Sequence, residues 1–187
     1  MENRSGGHSP DRGFTLIELM VTLAVAAILL ALAVPSFKSL IDKYKLTSAV
    51  DTLYSDFQFA RGEAIRNNQN VYISFQSGTA WCYGMVLGNA ACSCSQTTAS
   101  ASDYCGLKLV SAGGSNNVSI PGASSITFNA NQTGFEPARG ITLNGNTGYV
   151  MLQSGLGLQA RVNLSVLGRI SVCSPAGSGY TGAYPSC

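Results

Sequence analysis

Hydrophobic and polar positions divide the chain into three stretches. Met1–Gly13 is polar. From Phe14 to Phe37 the only ionisable side chain is Glu18, and Leu19–Val34 is apolar apart from Thr22. Phe14–Val34 is 21 residues long. A helix rises about 1.5 Å per residue, so roughly 20 such residues cross a bilayer core. The pattern predicts a membrane-length helix. It is too long for an ordinary signal h-region, and no small-residue cleavage site followed by a polar chain comes after it.

Beyond Pro35 the helical period persists in amphipathic form. Phe37, Leu40, Ile41, Tyr44, Leu53, Phe57, Ala60 and Ala64 recur at three- and four-residue steps and predict one packing face. Asp42, Lys43, Asp51, Asp56 and Glu63 are expected mostly on the other face. The run NNQN, Asn67–Asn70, ends the helix.

The period then shortens. VYISF (Val71–Phe75) and WCYGMVL (Trp81–Leu87) read as strands joined by a hairpin at QSGT. Gly88–Ser102 is a loop of small and polar residues. GLKLV, NVSI, SITF, ITLN and YVML follow as short strands separated by Gly and Asn turns. In Ala160–Cys173 the alternation is clearest: Val162, Leu164 and Val166 face one way, Arg161, Asn163 and Ser165 the other. Gly168 offers a turn or bulge before Arg169–Cys173. One long helix followed by many strands predicts an α+β fold, with the helix laid against an antiparallel β-sheet.

Composition narrows the chemistry. The chain carries a net charge of +2, too weak to predict nucleic-acid binding from the overall field. Its single histidine is His8. After Arg66 the only carboxylates are Asp103 and Glu136. A chain cut after Gly13 has no histidine for a Ser-His-Asp, Cys-His or His-ligated metal site. No paired carboxylates are evident for glycoside hydrolysis. An enzyme, a cofactor or a metal is therefore not expected. The six cysteines are Cys82, Cys92, Cys94, Cys105, Cys173 and Cys187. An even count behind an export signal reads as disulfides, not as a metal site. Cys173–Cys187 is the pair expected, because it closes a Gly/Ser/Pro-rich tail. The other four leave three pairings open.

Glu18 is the anomaly. A carboxylate at membrane depth costs about 2.5–3.5 kcal/mol, so it generally has a partner. Arg12 lies in the polar leader. A cut between Gly13 and Phe14 creates an α-amino group in the apolar zone. That amine sits more than a turn from its own Glu18 on one rigid helix, but within reach of the Glu18 of a neighbouring chain. Such a pair would set the axial register of a polymer.

The segment RGFTLIELM, Arg12–Met20, resembles the type IV prepilin signature: a polar leader, Gly, Phe, and Glu fifth in the mature chain. The resemblance implies that a prepilin peptidase cuts after Gly13 and N-methylates Phe14, and that Glu18 meets the N-terminus of an adjacent subunit. It also implies a helix kink at Pro35. The expected organisation is a leader over 1–13, a transmembrane and polymerisation helix over 14–36, and an amphipathic helix with a periplasmic β-rich domain over 37–187.

Later segments resemble one branch of these proteins. QFARGEAIRNN (Gln58–Asn68) is similar to the "ARSEA" segment of the H-type minor pseudopilins and the FimT/FimU minor pilins (the GspH/FimT family), with Gly62 in place of serine. SITFNANQTG (Ser125–Gly134) and LSVLGRISVC (Leu164–Cys173) are similar to that family's later strands. The resemblance implies a low-copy subunit that helps prime or cap a type IV pilus or a type II secretion pseudopilus. Its implied partners are other minor pilins or pseudopilins, the major pilin, the prepilin peptidase and the inner membrane. Some FimT-type members bind DNA in natural transformation through a C-terminal Gly-Arg-x-Arg motif. Here Gly168 and Arg169 are followed by Ile170 and Ser171, so the second arginine is missing. Arg139, Arg161 and Arg169 are the DNA-contact candidates if they converge.

Overall fold

The computed structural model describes residues 13–114, 117–179 and 184–187. It contains one long helix, α1 (Leu16–Asn67), followed by eight strands. Two compact units divide at Ser39/Leu40. The expected leader, before Gly13, lies outside the described residues, as does the side chain of Pro35, where a kink is expected.

The first unit is the apolar start of α1. Thr15 stands before the helix, and its Oγ1 accepts the Glu18 N–H at 3.3 Å. Thr followed three residues later by Glu is the sequence of a capping box. The apolar side chains that follow are exposed, from Phe14 at 82% to Leu32 at 72%.

In the second unit α1 buries Leu46, Val50, Leu53, Phe57, Ala60 and Ala64. The steps alternate between four and three residues and form one stripe. The expected stripe is corrected at its start. Phe37, Leu40, Ile41 and Tyr44 are 40–68% exposed. A second correction concerns the charges. Asp42, Asp56 and Glu63 are buried rather than solvated. They are spaced by multiples of seven residues, so they lie on one line flanking the stripe, and the covered face is wider than the apolar pattern alone. Each buried carboxylate has partners, as burial of a charge demands. Asp42 accepts from Ser154 Oγ and from the Leu156 N–H. Asp56 accepts from Tyr83 Oη at 2.7 Å and from Lys108 Nζ at 2.5 Å. Glu63 is held by Arg66 and Asn67, at 2.7 and 2.9 Å. Burial, then the adjacent Asp56 carboxylate, push the Tyr83 phenol well above its ordinary pKa. Tyr83 thus stays protonated and donates.

The helix stops at Asn67. Asn68 takes φ +49°, and the Gln69 N–H bonds back to the Ala64 carbonyl. Left-handed asparagine with this return bond is a helix C-cap.

The strands form two antiparallel sheets rather than one. The first has the order β3 (Lys108–Ser111), β2 (Cys82–Leu87), β1 (Val71–Gln76), β5 (Gln132–Phe135). The second has the order β4 (Val118–Ser119), β6 (Gly148–Ser154), β7 (Gln159–Leu164), β8 (Ile170–Cys173). Inward side chains of both sheets share one core with the α1 stripe. At its centre Phe57 meets Phe75, Phe128 and Phe135, with ring centroids 6.0, 6.3 and 6.4 Å away.

Two expected strands are corrected. In SITF and ITLN only Ile126 and Thr142 make isolated bridges, and short 3₁₀ turns flank them. Asn144 and Gly145 adopt φ +52° and +65°, a backbone that ends strand pairing. The strand sequence analysis missed is β5, QTGF, which pairs with β1. Its amide, hydroxyl and glycine carry little β signal, and pairing decides it. The expected face of Val166 is also corrected. Strand β7 ends at Leu164, and Val166 is 52% exposed in the following turn.

The disulfides are Cys82–Cys94, Cys92–Cys105 and Cys173–Cys187. The first two interlock and tie the 88–102 loop to the outer side of β2. They form a small buried cluster flanked by Val86 and Leu109. Closing loops of 12–14 residues stabilises by about 3 kcal/mol each in the chain-entropy account. The third joins the end of β8 to the chain's last residue, and the Cys187 N–H bonds to the Ser174 carbonyl at 3.0 Å.

Candidate functional site

The candidate sites are surfaces, one in each unit. Within the first, Gly13 and Phe14 precede the helix and are exposed. Glu18 occupies the helix's first turn. The helix dipole favours a carboxylate there, by about 0.3–1 kcal/mol. That is less than the cost of holding the charge at membrane depth. Among the described residues no group bonds the Glu18 carboxylate. The most apolar window of the helix has none of its residues buried within the chain. Leaving a large aliphatic side chain in water forgoes about 1.5–3 kcal/mol. A segment carrying more than ten of them requires lipid or neighbouring helices.

The second surface lies where α1 terminates. The β7–β8 turn carries Arg169, and its Gly168 takes φ +73°. A side chain at Gly168 would strike the Gly140 carbonyl, so the turn and the Gly140 loop are in close contact. A Cβ at Gly140 would in turn stand 2.7 Å from Arg61 Nε and 3.1 Å from Ile65 Cδ1. Arg139 is exposed in the same loop, and its guanidinium is 3.9 Å from Glu136. The turn and loops therefore place Arg139 and Arg169 on adjoining segments beside Arg61.

Arg161 does not join them. It sits opposite Cys173, whereas Arg169 follows the Leu164–Ile170 pair at the other end of the hairpin. Three strand residues, at about 3.3 Å each, separate the two ends. The Arg161 guanidinium carbon stacks 4.3 Å over the Tyr149 ring, and its buried Nε has no hydrogen-bond partner among the described residues. Of the three expected arginines, Arg161 is engaged with Tyr149, while Arg139 and Arg169 flank the close approach of Gly140 and Gly168.

Sequence reasoning missed Arg61 and Ile65. Both fall within the segment QFARGEAIRNN, but the helical period marks them only as neighbours of the stripe. Only the return of the 136–141 loop onto the helix end brings them to this surface. Among the described residues no group of three His, Cys, Asp or Glu is placed to hold a metal.

The family described as type II transport protein GspH matches residues 49–168. The prokaryotic N-terminal methylation motif matches residues 8–34. No curated protein matches the chain. Two crystal structures of the type IV minor pilin FimU from Pseudomonas aeruginosa PAO1 are similar to it. One aligns at 19% identity over 68% of this chain and 91% of FimU, with a TM-score of 0.46. The other aligns at 18% identity over 69% and 88%, with a TM-score of 0.48. The methylation motif begins before Gly13 and spans the apolar helix start, while the GspH match runs from the buried helix stripe to the Gly168 turn. The chain belongs to the GspH family of pilin-like type II transport proteins.

Proposed function

We propose that this chain is a minor pilin or pseudopilin that helps prime or cap a type IV pilus or a type II secretion pseudopilus. The observation that carries the reading is Glu18, which has no partner among the described residues and stands at the start of an apolar helix that no other described residue covers. In this reading the leader is 1–13, the assembly helix 14–36, and the exported domain 37–187. A prepilin peptidase cuts between Gly13 and Phe14 and methylates Phe14. The helix then holds the subunit in the inner membrane, with its C-terminal domain in the periplasm. On assembly Glu18 pairs with the N-terminus of the adjacent subunit, a major pilin or another minor one. Pro35 is the position at which the helix bends to fit its neighbours.

The test is quantitative mass spectrometry of filaments sheared from cells. The expected result is a peptide beginning at N-methylated Phe14, at far below the stoichiometry of the main subunit. An unprocessed chain confined to membranes would overturn the proposal.

Capture of duplex DNA receives less support. Phosphate binding grows with the number of charges delivered, and Arg161 is engaged with Tyr149 away from Arg139 and Arg169.

A further inference from the structure

We propose that the end of the domain where α1 terminates is a docking surface for a different, acidic pilin-family subunit, with Leu167 as its anchor. The proposal rests on the minor-pilin reading above. Val166 and Leu167 are consecutive in the β7–β8 turn and are 52% and 74% exposed. Scattered exposed leucines are ordinary. This pair differs in how firmly it is held outward. Thr142 donates to the Val166 carbonyl through its N–H at 3.1 Å and through Oγ1 at 2.9 Å. The Ser165 N–H bonds to the Arg169 carbonyl at 3.0 Å, and the Arg169 N–H returns to Ser165 Oγ at 3.1 Å. Gly168 is locked against the Gly140 carbonyl. A turn fixed in this way loses little conformational freedom when a partner covers it.

Charge identifies the partner. Arg169 follows the apolar pair in the same turn, Arg139 lies in the loop that Gly168 touches, and Arg61 lies beside that loop, with Glu136 3.9 Å from Arg139. Arginine is among the residues enriched where protein–protein binding energy concentrates. The complementary surface is an apolar socket edged with Asp or Glu. DNA would use the arginines through its phosphates and leave Val166 and Leu167 in water. A second copy meeting this face symmetrically would set arginine against arginine.

In-cell photocrosslinking tests this on the full chain. Benzoylphenylalanine replaces Leu167 in one strain and Leu23, in the assembly helix, in another. The expected result is that both reporters join pilin-family subunits. The position-167 adduct maps to a carboxylate-bearing peptide of a different subunit, and Arg169→Glu lowers its yield by about tenfold. If the Leu23 reporter crosslinks but position 167 joins only lipid, its own copy or nothing, the docking surface is overturned and the minor-pilin reading stands. A nuclease-sensitive adduct at 167 overturns it in favour of DNA. An adduct unchanged by Arg169→Glu removes the charge argument on which the partner was chosen. If neither reporter meets a pilin-family subunit, the minor-pilin reading fails as well.

Discussion

Glu18→Ala is expected to leave cleavage after Gly13 intact while lowering the subunit's share of sheared filaments by roughly a hundredfold. In the proposed assembly, the substitution removes one member of a charge pair formed only between subunits. The neighbour's N-terminal amine then stays charged in an apolar packing zone. Breaking a buried ion pair from one side costs about 3–5 kcal/mol, and each 1.4 kcal/mol is about a factor of ten in an equilibrium. Insertion into the membrane alone moves the other way, because a carboxylate at that depth costs about 2.5–3.5 kcal/mol. The mutant is thus expected to accumulate, processed, in the membrane. Glu18→Gln separates charge from hydrogen bonding: it keeps the shape and is expected to behave nearly as poorly as alanine. Filaments carrying the Ala variant at the normal ratio would remove Glu18 from assembly.

The second large effect concerns the exported domain. Phe57→Ala is expected to destabilise it by about 3–5 kcal/mol, a large part of the roughly 5–15 kcal/mol that holds most domains folded. Phe57 is fully buried, and its ring meets three other phenylalanines contributed by β1, β5 and the segment between the sheets. Its loss leaves a cavity among these rings. Phe59→Ala serves as the control. Phe59 lies on the same helix but is 42% exposed, so less than about 1 kcal/mol is expected there. Thermal melting of the full chain in detergent, followed by tryptophan fluorescence at Trp81, measures both. Equal midpoints for the two variants would contradict the packing described for α1.

The sequence reveals the processing motif and apolar helix plainly, because both are local. Phe14–Val34 reads as a membrane segment from composition alone, and Glu18 stands out against it. The helix stripe is legible from Leu53 onward. Its start is not: Ile41 and Tyr44 have the right spacing and the right chemistry, yet they are exposed, since period alone does not say how far the sheets extend along the helix. The buried line of Asp42, Asp56 and Glu63 is hidden for the converse reason. A carboxylate reads as solvated until Ser154, Tyr83 and Lys108 arrive from distant strands. Short strands fare similarly. β5 has no alternation to detect, whereas β7 shows it fully. Cys173–Cys187 follows from the tail it closes. The interlocked Cys82–Cys94 and Cys92–Cys105 bonds require the fold of the loop. The nearness of Arg61 to the Arg139 loop is the least legible feature, because only the close approach of Gly140 to the helix brings the two segments together.

The central claim is that this chain starts or caps a filament. Deleting its gene and counting surface filaments by electron microscopy, beside a complemented strain, tests that claim most directly. The account predicts loss of most filaments on deletion and their return on complementation if the machine is a pilus. For a secretion pseudopilus, the matching result is loss of secreted protein with surface filaments unchanged. Normal filament numbers together with normal secretion would contradict it.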